Sequence, residues 1–149
     1  MESRFMKNAI LLAKKAAEYG EVPVGAVIVR NGEIIAEGHN MRETKQSALS
    51  HAEIEAIRIA NKKLDSWRLD DCEMYVTLEP CPMCTGAIIN ARLKTLVFGA
   101  YDTKQGCADS LINMFDLPFD NKTEVYGGIL EDECKEVLKT FFKCLRNEE

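Results

Sequence analysis

Apolar residues recur along this chain in two periods. Phe5, Met6, Ala9, Ile10, Ala13, Ala16 and Ala17 fall on one stripe at helical spacing. They predict a first helix from Ser3 to about Tyr19, with Gly20 placed to end it. Val24-Gly25-Ala26-Val27-Ile28-Val29 is almost continuously apolar, which fits a strand covered on both faces by helices. Asn31-Gly32 is a two-residue hairpin signal, so Glu33 to Glu37 should return antiparallel beside that strand. After a polar stretch from Gly38 to Leu49, a second helix is expected from Ser50 to Lys63, with Ile54, Ala56, Ile57 and Ala60 turned inward. A polar connector leads to a third strand over Met74 to Leu78, a third helix from Pro82 to Ala91 and a fourth strand from Thr95 to Ala100. Strand, helix, strand with about a dozen residues between is the order of a parallel crossover. Beyond Asp102 the chain reads as loop to Lys122, with a short helix near Ser110 to Phe115, then a fifth strand from Thr123 to Tyr126. Glu131 to Arg146 closes the chain as a helix with Leu130, Cys134, Val137, Leu138, Phe141 and Leu145 on one face. These elements predict a single α/β domain over residues 1–149, a three-layer α/β/α arrangement. Its mixed five-stranded sheet would have one antiparallel hairpin strand, the rest largely parallel, and helices on both faces.

Charge changes the picture in one respect. Lys and Arg number 19 against 24 acidic residues, a net charge of -5, the wrong sign for gripping nucleic acid through the overall field. Any basic face must be local, and Arg42, Lys45, Arg92, Lys94 and Lys104 are the residues expected to supply it. No apolar run approaches the roughly 20 residues that span a bilayer. The run Ala9 to Ala13 is cut by Lys14-Lys15 and reads as helix rather than export signal, so a cytoplasmic protein without a membrane partner is expected. In that setting six cysteines are not a disulfide scaffold. Cys72, Cys107, Cys134 and Cys144 are expected as reduced thiols, some of them buried.

The other two cysteines carry chemistry. Cys81 and Cys84 are spaced C-x-x-C, and His51-Ala52-Glu53 stands upstream. Each half has a plainer explanation. Ser50 to Glu53 also spells a capping box at a helix start, and a lone C-x-x-C serves redox pairs and structural zinc sites. Together they change weight. Two helices that each begin after a buried strand bring their N-termini to one edge of the sheet. There the helix dipoles favour thiolates, and Pro82 suits a first turn. His51, Cys81 and Cys84 then make a three-ligand zinc site with its fourth position open, and Glu53 is the carboxylate that handles a proton beside it. A closed structural site would need a fourth ligand, and His39 is the one other histidine.

His-x-Glu followed by Pro-Cys-x-x-Cys is the known pattern of zinc nucleobase deaminases. The chain resembles the bacterial tRNA adenosine deaminases over nearly its whole length. The resemblance is carried by Val22 to Val27, Gly38-His39-Asn40, His51-Ala52-Glu53 and Thr77 to Cys84. Further on come Val97 to Ala100 with Asp102 and Lys104, Gly128-Ile129-Leu130 with Asp132-Glu133-Cys134, and Phe141-Phe142. It implies a cytidine-deaminase-like fold, one zinc ion per subunit and a homodimer. It also implies hydrolytic conversion of the wobble adenosine of a tRNA anticodon loop to inosine. Residue by residue, it implies zinc ligation by His51, Cys81 and Cys84 and proton transfer by Glu53. Asn40 would hydrogen-bond the flipped base, Val22 and Ala52 would join it in binding the substrate, and RNA contacts would come from Asp102, Lys104, Phe142 and Arg146. Two other functions stay open. One is a deaminase of a free guanine- or cytosine-type base or nucleoside, since the first four motifs are shared with such enzymes. The other is a non-catalytic zinc-stabilised module that binds RNA or a partner. Asp109, where the family usually has glycine, and the terminal Glu148-Glu149 add negative charge against the RNA.

Overall fold

The computed structural model describes residues 2–147; Met1 and the terminal Glu148 and Glu149 lie outside the described residues. The elements are α1 (Ser3–Glu18), β1 (Gly25–Arg30), β2 (Glu33–His39), α2 (Arg42–Lys45), α3 (Ala52–Leu64), β3 (Cys72–Leu78), α4 (Pro82–Asn90), β4 (Thr95–Ala100), β5 (Glu124–Tyr126) and α5 (Glu131–Asn147). A single 3₁₀ turn, Met114–Asp116, interrupts the long loop before β5.

The sheet runs β2-β1-β3-β4-β5. The expected hairpin forms, with Asn31 and Gly32 both at positive φ in its turn. The strand that runs against the others is β1, which is antiparallel to β2 on one side and to β3 on the other. The pairs β3·β4 and β4·β5 are parallel. Thus β2 aligns with the parallel set, and the odd strand lies inside the sheet.

Alternation along β1 and β3 divides the core in two. Ala26, Ile28, Met74 and Val76 face α3 and α4 through Ala52, Ala56, Ile57 and Ile88. Val27, Val29 and Tyr75 face α1 through Phe5, Met6, Ala9 and Ile10, with Cys134 of α5 on the same side. Each interior strand therefore buries both faces, which is why β1 and β4 read as nearly unbroken apolar runs. All six cysteines are unpaired, and Cys72, Cys107 and Cys134 are buried as small apolar groups.

Three expectations need correction. The apolar stripe of α5 is covered only near its start: Cys134 is buried, Val137, Leu138 and Phe141 are partly covered, and Leu145 is 43% exposed. Helical periodicity marks an apolar face without showing that anything packs on it. The short helix expected at Ser110 to Phe115 shrinks to the 3₁₀ turn, where the Asn113 side chain caps the Phe115 N–H. The stretch from Gly38 to Leu49, read as irregular, holds the single turn α2, whose supports come from distant residues.

Candidate active site

Strands β3 and β4 point their C-terminal ends to one edge of the sheet, and the loops there enclose a cavity of about 260 Å³. That is below the roughly 300–1,000 Å³ of pockets for drug-sized ligands, and suits one base rather than a longer nucleic-acid segment. Its walls include Val22, Val24, Asn40, Arg42, His51, Ala52, Glu53, Leu78, Glu79, Cys81, Asp102 and Gln105.

The floor is built by two helix starts. His51 is the N-cap of α3 and Cys81 the N-cap of α4, both with extended backbone and neither with a side-chain capping bond. The capping box is therefore out of register by one residue: Ser50 lies before the helix start, and the N-cap side chains of His51 and Cys81 line the cavity instead. Pro82 occupies the first turn of α4 and Cys84 follows within it, fully buried. His51 Nδ1 lies 3.6 Å from Cys81 Sγ and 3.5 Å from Cys84 Sγ. Donor atoms of the three residues all fall within 4.8 Å of one another, and among the described residues no other group of this kind occurs. The three could hold a metal ion. His39 does not join them: its Nδ1 faces the Asn40 carbonyl at 3.3 Å, and its ring stacks with Tyr19 at 6.0 Å.

The electrostatics suit such an ion. A hydrogen bond from the Cys84 thiol, supported by His51, brings the Cys81 thiol down to about 4. Cys84 is pushed up by that same bond and by burial, so the pair shares one thiolate until a cation stabilises a second. The hydrogen bond with Cys81 raises His51. Glu53, buried at the cavity floor, is raised to about 7, chiefly because burial penalises its charge. A carboxyl near neutrality can both accept and give a proton.

Asn40 is buried with its amide half used. Its Nδ2 donates to the Val22 carbonyl at 3.2 Å and its Oδ1 accepts from the Arg42 N–H at 3.1 Å. An amide has two donors and two lone pairs, so one of each remains for a ligand. Asp102 is half-buried in the opposite wall, its Oδ1 accepting from the backbone of Lys104 and Gln105. Val22, Asn40, Ala52 and Asp102 thus join the floor residues around one cavity. Lys104 is exposed on the Asp102 loop, and Phe142 and Arg146 are exposed on α5; none of these three lines the cavity. The basic residues also scatter. Arg42 lines the mouth, and Lys45 pairs with Glu55 at 2.8 Å. Arg92 lies over Trp67, and Lys94 precedes β4, where its N–H bonds Cys72 at the opposite end of the sheet.

Sequence reasoning missed the supports of the rim. Glu21, Glu55 and Glu79 are only 1%, 7% and 2% exposed. Glu21 accepts from the Glu43 N–H at 3.1 Å and from the Thr44 N–H and hydroxyl at 2.6 Å, holding α2. Glu55 holds the same segment through Lys45. Glu79 accepts five bonds from residues 102–110. Burial alone would raise all three carboxyls, yet these hydrogen bonds keep each below its ordinary range. An acidic residue just after an apolar strand, as Glu79 is, was the one available signal. A second groove, about 630 Å³, separates α1 from α5 and includes Ile10, Lys14, Val137 and Phe141 in its walls. It stands apart from this chemistry.

The mixed sheet, with its cavity at two helix starts, defines a deaminase of the cytidine-deaminase-like fold. The chain matches the sequence model of the MafB19-like deaminases over residues 2–146. It is 52% identical over 143 residues to a tRNA-specific adenosine deaminase of Bacillus subtilis (strain 168), covering 95% of this chain and 89% of that one. The chain belongs to the tRNA-specific adenosine deaminase family. A solved structure of a tRNA:A34 deaminase, from work on A-to-I editing at the wobble position of transfer RNA, superposes with a TM-score of 0.89 at 40% identity. It covers 92% of this chain and all of that one. A guanine deaminase from Bacillus subtilis is also 40% identical, covering 85% and 83% of the two chains, with a TM-score of 0.67.

Proposed function

We infer that the protein hydrolyses the wobble adenosine of a tRNA anticodon to inosine, with release of ammonia. The observation that carries this reading is the one-base cavity with a metal-type donor triad and a buried carboxyl at its floor. The donor set fits zinc. Zinc–nitrogen bonds of about 2.0–2.1 Å and zinc–sulfur bonds of about 2.3 Å at tetrahedral angles require N···S edges of about 3.6 Å. The two edges here are 3.6 and 3.5 Å. Two thiolates and a neutral imidazole also balance the ion's charge, and a three-residue set leaves one position for water.

His51, Cys81 and Cys84 would hold the ion. When bound, zinc supplies the acidity that makes water a nucleophile near neutral pH. Glu53 takes the proton from the water whose oxygen adds to C6 of adenine. The same carboxyl returns protons to ring N1 and to the departing amino group. The C6–N bond then breaks, ammonia leaves and the C6 carbonyl of inosine remains. Asn40 offers its free N–H and lone pair to the base edge, with Val22 and Ala52 shaping the slot. Asp102 and Lys104 meet the sugar and phosphate of the flipped nucleotide, and Phe142 and Arg146 extend that contact along the loop. An anticodon base is already partly unpaired, which lowers the cost of extruding it.

A homodimer acting in the cytoplasm completes the reading. No helix among the described residues is long and apolar enough to cross a membrane. The guanine deaminase relative keeps a free-base substrate as the second reading. Parallel incubation with an adenosine-containing anticodon stem-loop, guanine and cytidine decides between them. Inosine should form from the stem-loop alone. Turnover of guanine with an untouched stem-loop would overturn the proposal in favour of the free base.

A further inference from the structure

Glu79 is the most heavily hydrogen-bonded side chain at the cavity edge, and every one of its donors belongs to residues 102–110. Its Oε1 accepts from the Asp102 N–H at 3.0 Å and from the Ser110 hydroxyl. Its Oε2 accepts from the N–H groups of Ala108 at 3.1 Å, Asp109 at 2.8 Å and Ser110 at 2.9 Å. A carboxylate has about four lone-pair sites, so this one is saturated and has nothing left for a ligand. Gly106 completes the seat, because a Cβ there would come within 2.4 Å of the carboxylate oxygen. The Cys107 N–H is tied to the Pro80 carbonyl at 2.9 Å, so the loop is also stitched to the residue preceding Cys81.

We propose that Glu79 is a positioning residue that fixes the Asp102–Ser110 wall for RNA contact. It acts through the loop's backbone and does not touch the reacting atoms. The bond to the Asp102 N–H sets where Asp102 stands, and Asp102 in turn caps the N–H groups of Lys104 and Gln105. One buried carboxylate therefore governs three residues at the cavity edge. A glutamine could not replace it, since its amide NH₂ would point at N–H donors and leave buried groups unpaired. The RNA part of this inference rests on the proposed function, whereas the loop-holding part does not.

The test compares zinc-loaded wild type, Glu79→Gln, Asp102→Ala and the double variant. Stem-loop affinity is read by fluorescence anisotropy and backbone exchange by deuterium labelling. Glu79→Gln should weaken binding about tenfold, the equivalent of one buried unsatisfied group, with zinc content unchanged. Exchange should quicken over residues 102–110 and stay slow in α3 and α4. Adding Asp102→Ala should cost less than twofold more, because both changes act on one unit. Unchanged affinity in the folded, zinc-loaded variant, or penalties that multiply in full, would overturn the proposal. If Glu79→Gln does not fold, Ser110→Ala removes the hydroxyl bond alone. It should loosen the same loop with a loss of a few fold, and no change in loop exchange would overturn the proposal equally. Wild type that does not bind the stem-loop would overturn the proposed function and the RNA part of this inference with it. The exchange arm would then still decide whether Glu79 holds the loop.

Discussion

The floor and the rim of the cavity are made by different means. The floor stands on helix starts: His51, Glu53, Cys81 and Cys84 all belong to the first turns of α3 and α4. Those helices pack on a sheet whose interior strands are buried on both faces. The rim is two loops, each fastened to the body by buried carboxylates. Glu21 and Glu55 secure the segment carrying Asn40 and Arg42, and Glu79 secures the one carrying Asp102. The chemistry therefore rests on regular structure with many redundant bonds. On the proposed function, recognition would rest on a few charged anchors whose loss stays local. Damage to the floor should appear as lost rate and damage to the rim as lost affinity.

The sharpest break in that contrast is Glu53→Gln. It keeps the side chain's size and removes its capacity to take up a proton. Turnover of the stem-loop should fall by about 10²–10⁴-fold, the usual worth of a positioned general acid–base. Stem-loop affinity and zinc content should stay near wild type, read by anisotropy and metal analysis. A comparable loss of affinity would mean that Glu53 belongs functionally to the rim as well, and the division would be wrong.

The same contrast explains what the sequence could disclose. Val24 to Val29, Asn31-Gly32 and the C-x-x-C after Thr77-Leu78 are local patterns with local causes, and each leads to its element or site directly. The floor was legible because two such patterns meet at helix starts. The sheet order was less so: nothing local says that β3 pairs with β1 rather than with β2, because α3 carries the chain across before β3 begins. The rim was hidden for a related reason. Apart from the Thr44 and Ser110 hydroxyls, the donors to Glu21 and Glu79 are backbone N–H groups, which every residue but proline possesses, so little in the side-chain pattern marks them. Asn40, Val22, Ala52 and Asp102 came from the family resemblance and converge on the cavity. Lys104, Phe142 and Arg146 came from it too and stand outside its walls.

Glu21→Gln tests the other side of the rim and should do less than Glu79→Gln. Its carboxylate takes three bonds where Glu79 takes five, and Glu55 supports the same segment through Lys45. Stem-loop affinity should fall by roughly threefold, a smaller share of the cost of unsatisfied buried groups. Faster amide exchange should be confined to residues 41–46. Exchange that spreads into α3 would show that this loop supports the floor, which would erase the distinction on that side.

Leu145→Ser is the smallest change and separates packing from recognition on α5. Leu145 is 43% exposed near the end of a helix whose later turns lie largely open. Substitutions at such positions usually shift stability by no more than about 0.5 kcal/mol. Thermal unfolding should therefore be nearly unchanged, in contrast with a larger side chain at Cys134, which is buried against Gly99 and has no room to grow. A drop of several degrees for Leu145→Ser would mean that the open face of α5 is covered in solution. A second copy of the chain would be the first cover to look for, and dilution of the wild type would test it: if a second copy supplies the packing, the melting temperature falls as the protein is diluted.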